Sequence, residues 1–207
     1  MKPAKASSAK YPKSKLRREL IVDAAQELLL DEGYSAITIS NVASRAEITP
    51  SHFRYYFPTL DDLVVELHKI YLENYKTAIA DAVFSLRGKE SPLSILERLI
   101  DTHIDMVRDH KHDVIIWETQ AWGARNAVVK EFHEEWVDWY TDNVAALIRE
   151  ANPDISEKKS YRLAALISVL MDNLQRFVGE TKPHPSRFDG LETEIKSLFK
   201  NAITQTD

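Results

Sequence analysis

Three helix-start signals crowd into residues 38–59, and they leave the chain little choice of local structure. Thr38 precedes Ile39, Val42, Ala43 and Ala46, which recur at i, i+3, i+4 and i+7 and so share one helical face. A threonine hydroxyl at that place can accept a hydrogen bond from an N–H of the first turn. Thr49 followed by Pro50 repeats the signal, because proline at the first helical position lacks an N–H that would have no partner there anyway. Thr59 opens a third segment with Leu63, Leu67, Ile70 and Tyr71 along one side, running to about Arg87, where Gly88 and Pro92 in "RGKESP" break it. The spacing predicts two short helices about three residues apart, then a long one.

The rest of the chain obeys the same period. Ile21, Ala24, Ala25, Leu28 and Leu29 mark a helix from Lys15 that stops at Gly33, and amphipathic segments follow at roughly 92–109, 113–126, 128–151, 157–180 and 190–204. Five glycines and eight prolines in 207 residues do not fit an all-β chain with frequent tight turns. The fold class expected is all-α. Residues 1–14, rich in Lys, Ser, Ala and Pro, read as a flexible basic arm.

Charge is divided unevenly. Residues 1–60 hold nine basic and six acidic side chains, while the remainder holds 18 and 26, so a basic amino-terminal part sits on an acidic body. A net charge of −5 therefore does not argue against a phosphate-rich partner, since the local field decides. The absence of cysteine removes disulfides, thiolate nucleophiles and cysteine-ligated zinc, and is compatible with a reducing compartment. With no secretory h-region and no apolar run of spanning length, the expectation is a cytoplasmic protein with no membrane partner.

Two short helices joined by a tight turn form a helix-turn-helix, whose second member can enter a DNA major groove. That second member is "TPSHFRYYF". Phe53 and Phe57, four apart, are assigned to the small core, which turns Ser51, His52, Arg54 and Tyr55 outward. Tyr55 and Tyr56 can donate phenolic hydrogen bonds to phosphate, Arg54 a charge-assisted one, and Thr38 with its helix start offers another anion contact. His52 and Ser51 remain for base edges, and Thr49 and Pro50 open the helix. The competing reading is that these rings merely fill a core.

Helix one, "ITISNVASRAEI", "TPSHFRYYF" and "TLDDLVVEL" together resemble the TetR family of transcriptional regulators over about residues 16–70. Thr38, Val42, Ala43, Ala46, Ile48, Thr49, Tyr55, Phe57 and Leu63 stand at corresponding places. Three positions depart from the pattern: Glu47 replaces the turn glycine, Arg54 a usual tyrosine, and Leu60 a common phosphate-contacting lysine. Glu47 obliges the turn to accept a side chain where glycine is at ease. The basic residues Lys2, Lys5, Lys10, Lys13, Lys15, Arg17 and Arg18 could add phosphate contacts and steepen the salt dependence of binding.

The resemblance implies a helix-turn-helix DNA-binding domain at 15–60 and a helical effector-binding and dimerisation domain at 61–207. It implies a homodimer on a palindromic double-stranded DNA operator, most often a repressor released by a small-molecule effector. Within the body, all four tryptophans fall between 117 and 139. Trp117, Trp122, Trp136, Trp139 and Tyr140 are candidate pocket walls, with Glu118 as a counter-charge for a cationic ligand and His103 and Asn173 as hydrogen-bonding groups. Two apolar stripes close the chain: Leu163, Ile167, Leu170, Leu174 and Phe177, then Leu191, Ile195 and Leu198, which are candidates for a dimer interface.

The rival readings are a helical interaction protein and a small helical enzyme. No Gly-rich phosphate loop, Gly-x-Ser-x-Gly elbow or His-Glu-x-x-His is present, so no catalytic residue, cofactor or metal is expected. "HKH" at 110–112 and "FHEE" at 132–135 could bind a metal if brought together, but two histidines one residue apart on a loop are read as solvated surface.

Overall fold

In the computed structural model, residues 10–108, 117, 118, 120–178 and 185–205 are described. All regular elements among them are helical: α1 (Lys10–Glu32), α2 (Ile39–Arg45), α3 (Pro50–Tyr56), α4 (Leu60–Ala82), α5 (Pro92–Arg108), α6 (Ala127–Ala151), α7 (Glu157–Met171) and α8 (Leu191–Thr204). Short 3-10 turns lie at Tyr34–Ala36, Phe84–Leu86, Leu174–Arg176 and Pro185–Phe188. The chain divides into two compact units, Met1–Ile70 and Tyr71–Asp207, and α4 contributes residues to both.

In the first unit, α2 packs against α1 and α3. Ile21, Ala25 and Leu28 of α1, Val42 and Ala43 of α2, Phe53 and Phe57 at α3, and Leu63 and Val64 of α4 are all buried. The core therefore includes the first turns of α4, beyond the expected division at residue 60. Truncating a fully buried phenylalanine such as Phe53 costs about 3–5 kcal/mol, a large share of what so small a core supplies. Arg18 lies 4.5 Å over the Phe57 ring and pairs with Glu66, closing the core where α1 approaches α4. Arg45 reaches Glu27 and Asp31 at 3.4 Å and Glu32 at 3.0 Å, so its charge is spent on holding α2 to α1.

Each expected cap is formed. Thr38 Oγ1 accepts from the Asn41 N–H and Thr49 Oγ1 from the His52 N–H, both at 3.1 Å. Thr59 and Asp62 make a reciprocal box: the Asp62 N–H donates to the Thr59 hydroxyl oxygen at 3.1 Å, and the Thr59 N–H and O–H donate to the Asp62 carboxylate at 2.9 and 2.7 Å. Those bonds, the hydroxyl's first, hold the Asp62 carboxyl below its usual range. Helix α2 ends in a Schellman motif, with the Ile48 N–H on the Ala43 carbonyl at 2.9 Å and the Glu47 N–H on the Ser44 carbonyl at 3.2 Å. Glu47 carries the positive φ of that motif, 53°, where a glycine would be unstrained.

Several boundaries differ from expectation. Helix α1 begins at Lys10, so residues 10–14 are helical instead of part of an arm; Pro12 falls in the first turn, where a missing N–H is tolerated. Residues 1–9 lie outside the described residues. Helix α4 stops at Ala82, before a 3-10 turn, instead of near Arg87, because Val83 leaves helical geometry at φ −120°. The segment expected to be helical over 157–180 ends at Met171, with Asp172 and Asn173 turning the chain into Leu174–Arg176.

In the second unit, α6 packs along α7, and α5 packs against α6 and α8. Helix α5 buries Ile95, Leu96, Leu99, Ile100, His103, Ile104 and Val107, the stripe its helical period dictates. Asn126 caps α6 by accepting from the Val128 and Val129 N–H groups at 3.0 and 3.1 Å.

Candidate functional site

The α3 helix presents two unlike faces. Phe53 and Phe57 are sealed in the core, whereas Thr49, Pro50, Ser51, His52, Arg54 and Tyr55 are exposed, Tyr55 to 74%, and Tyr56 is half-buried. The rings of the outer flank touch one another: Tyr55 meets Tyr56 edge to face at 5.0 Å, and His52 lies 5.5 Å from Tyr56 and 6.5 Å from Tyr55. This contact orders the flank before anything binds it. Thr38 and Thr49 each use an oxygen lone pair on a cap and keep an exposed O–H to donate. The flank thus offers a guanidinium, phenolic and aliphatic hydroxyls and an imidazole on one side of a two-turn helix, which is donor chemistry suited to phosphate oxygens and base edges.

Of the other cations expected to help, Arg18 is engaged with Phe57 and Glu66, and Lys15 pairs with Glu19 at 3.8 Å. Arg17 is exposed. Lys10 and Lys13 stand on the first turn of α1, while Lys2 and Lys5 lie outside the described residues.

A pocket in the second unit is lined by Tyr71, Leu72 and Tyr75 of α4, by His133, Trp136 and Val137 of α6, by Asp172 at the end of α7, and by Gln120, which precedes α6. It holds about 480 Å³ of space free of protein atoms, part of it continuous with solvent. Its aromatic wall continues inward as a ladder. Tyr71 stacks on Tyr75 at 6.1 Å, Tyr75 lies 5.5 Å from Trp136, Trp136 stacks on Tyr140 at 5.0 Å, and His103 meets both Tyr75 and Tyr140 edge to face. Burial raises the phenols of Tyr71, Tyr75 and Tyr140 well above their ordinary range, so they stay neutral. Burial alone also pushes the Asp172 carboxyl up, to about 6. Trp136 Nε1 and the Tyr140 hydroxyl are buried with no hydrogen-bond partner among the described residues.

Set against expectation, the pocket has moved along the sequence. Trp136 lines it, and His103 and Tyr140 stand one ring behind. The other five candidates are elsewhere: Trp139 packs on Phe84 with Lys76 5.2 Å above its ring, and Trp117 is half-exposed with Arg176 stacked at 4.5 Å. Asn173 is exposed and donates to the Val169 carbonyl, and neither Glu118 nor Trp122 is among the lining residues. Tyr71, Tyr75, His133 and Asp172 were missed, although Tyr71 and Tyr75 share a helical face by their spacing and Asp172 interrupts an otherwise apolar stripe.

Comparison with known proteins matches residues 21–67 to the family model "Bacterial regulatory proteins, tetR family". The chain is 26% identical over 162 residues to the HTH-type transcriptional regulator PksA of Bacillus subtilis (strain 168), covering 71% of this chain and 74% of that one. Residues 21–67 thus carry a TetR-family match, and the chain over most of its length is similar to an HTH-type transcriptional regulator. Among solved structures, a transcriptional regulator from Saccharomonospora viridis in complex with choline is similar at TM-score 0.69 and 18% identity, over 91% of this chain and 96% of that one. The multidrug binding protein EbrR, in complexes with imidazole and with malachite green, is similar at TM-scores 0.66 and 0.63, both at 20% identity. Coverage is 92% and 91% of this chain, and 97% and 99% of EbrR. These structural likenesses concern the fold, and they extend over nearly the whole chain.

The expected dimer residues divide into two sets. Leu163, Ile167, Leu174 and Ile195 are buried in this chain's own core, with Leu191 packed partly against it, so those five face inward and not a second chain. Leu170, Phe177 and Leu198 are exposed, and Leu166 and Val169 join them at 54% and 60%. Helix α7 is thus apolar on two sides: one stripe fills the monomer and the other is left uncovered. No group of three or more metal-binding side chains occurs among the described residues, and "HKH" lies outside them. No helix among them is long and apolar enough to cross a membrane.

Proposed function

We propose that this chain is a ligand-responsive transcriptional regulator that acts on DNA in the cytoplasm. Two copies bind a palindromic operator through the outer flank of α3, and a small molecule in the second unit changes that affinity. The observation that carries the reading is the sidedness of α3, with Phe53 and Phe57 sealed while Ser51, His52, Arg54 and Tyr55 face solvent. Arg54, Tyr55, Tyr56, Thr38 and Thr49 then serve phosphate contacts, and Ser51 and His52 read bases.

The uncovered stripe of Leu166, Val169, Leu170, Phe177 and Leu198 supports a twofold homodimer, because an apolar face of that size is seldom left to water. Two heads so joined meet half-sites one or more helical turns apart, about 34 Å per turn. The relatives crystallised with choline, imidazole and malachite green support an effector in the equivalent body. The continuity of α4, which carries Leu63 in the first unit and Tyr75 in the second, supports it as the coupling element. Coupling cannot exceed the effector's differential affinity for the two states. Release from the operator by ligand is the response we assign.

The test is selection of bound sites from random duplex DNA with purified protein, followed by titration across salt. The regulator reading requires a recovered palindromic consensus and an affinity that falls linearly in log–log form with salt. Recovery of no consensus, or salt-independent binding, overturns it.

A further inference from the structure

Building on the reading of the second unit as an effector domain, we propose that its pocket takes an organic cation, with the positive charge held between the Tyr71, Tyr75 and Trp136 rings and the Asp172 carboxylate. Three observations carry this. Among the described residues the lining holds the rings of Tyr71, Tyr75 and Trp136, the His133 imidazole and one carboxylate, with no lysine or arginine. Among the described residues no cation pairs with Asp172 and no donor bonds to its side chain. The protein therefore sets an acid in an apolar wall and leaves its counter-charge to be supplied.

The position of Asp172 adds to the same field. It ends α7, its N–H on the Ser168 carbonyl, where the helix presents the partial negative charge of its last carbonyls. An anion entering the pocket would meet both negative charges, and a neutral molecule would bury the carboxylate further with nothing to pair it. A cation relieves the desolvation that raises the carboxyl to about 6 and gains the attraction of the ring faces. One carboxylate among aromatic walls is too few hard ligands for a metal ion, which points to an alkyl- or aryl-ammonium or a delocalised aromatic cation.

The experiment uses the full chain and three probes of similar shape: benzyltrimethylammonium, its uncharged analogue neopentylbenzene, and phenylacetate. Binding is read by tryptophan fluorescence and calorimetry. The cation is expected to bind at least about tenfold more tightly than the neutral analogue, and phenylacetate most weakly. Asp172→Asn is expected to erase most of that preference, weakening the cation while neopentylbenzene binds as tightly or more tightly, and Asp172→Glu to restore part of it. Should Asp172→Asn fail to fold by circular dichroism, Tyr75→Leu serves instead, lowering affinity for the cation more than for the neutral probe. Equal or tighter binding of the neutral or anionic probe by the native protein overturns the inference, as does a folded Asp172→Asn protein with undiminished cation preference. The effector reading is judged separately: it survives that result if either other probe changes operator affinity, and falls if a broad panel of small organic molecules leaves operator affinity unmoved.

Discussion

Replacing Glu47 by glycine should stabilise the head, and the expected size follows from one backbone angle. Glu47 occupies the left-handed position of the Schellman motif that ends α2, at φ 53°, with its own N–H and that of Ile48 both bonded back into the helix. An L-residue there costs about 1–2 kcal/mol through the clash of Cβ with the carbonyl oxygen. Glycine removes that clash but loses about 0.5–1 kcal/mol more backbone freedom on folding. The balance is a gain of roughly 0.5–1 kcal/mol for Glu47→Gly. If the head melts as its own unit, each kcal/mol raises its midpoint by about 4–8 °C. Glu47→Ala is the control, since it deletes the charge and keeps the strain. Urea unfolding, with hydrogen exchange read on peptides covering 39–57, should place Glu47→Gly above both the native chain and the alanine variant. An alanine variant as stable as the glycine one would refute the backbone argument and show that the carboxylate, not φ, sets the turn's energy.

The remaining expectations concern the binding surface, the pocket and the dimer. Tyr55→Phe should weaken all operator variants alike by about 0.5–1.5 kcal/mol, the worth of one hydroxyl hydrogen bond, whereas His52→Ala or Ser51→Ala should redistribute preference among them by about 1–3 kcal/mol per base pair. Fluorescence anisotropy on a panel of selected sites separates the two patterns. Because burial raises the folded Asp172 carboxyl to about 6 from an ordinary value near 3.8, the folded state holds this proton more tightly than the unfolded one. The penalty of the charged form, about 3 kcal/mol, is full above pH 6, shrinks as pH falls through 6, and is gone below about 4. Asp172→Asn should thus stabilise the ligand-free protein at pH 7.5 but not at pH 4; the surrounding phenols of Tyr71, Tyr75 and Tyr140 stay neutral throughout, and His133→Gln, which alters the imidazole in the same lining, is the control. Leu166→Glu combined with Leu198→Glu should yield a helical monomer by sedimentation, and a persisting dimer would place the interface elsewhere.

The head was legible in the sequence because its information is local. A threonine cap, a proline at the first position and a pair of phenylalanines four apart each act within one turn, so Thr38, Thr49, Thr59, Phe53 and Phe57 behave as their spacing requires. Glu47 stands out by residue type alone, and its backbone bears the positive φ that a glycine there would carry without strain. The body resisted because periodicity says which residues share a helix face and not what that face meets. Leu163 and Ile167 point into the core while Leu166 and Leu170 point out, yet both pairs are equally apolar in the sequence. The density of tryptophan drew attention to 117–139, whereas the pocket assembles from Tyr71, Tyr75, His133, Trp136 and Asp172, residues from three helices whose meeting depends on packing far along the chain. Asp172 was hidden by an overlong helix: placed mid-helix it is one polar residue among many, and only the stop at Met171 makes it a terminus.

Helix α4 acts as a ruler. Tyr71 and Tyr75 stand four residues apart on one uninterrupted helix, which fixes their separation at about 6 Å along the axis and keeps both rings on one face. A loop can absorb an insertion, but one extra alanine between Tyr71 and Tyr75 would turn one ring about 100° away from the other. Drift in chain length should therefore gather at turns such as 88–91 and 152–156 and spare 60–82, whatever happens to the amino acids themselves.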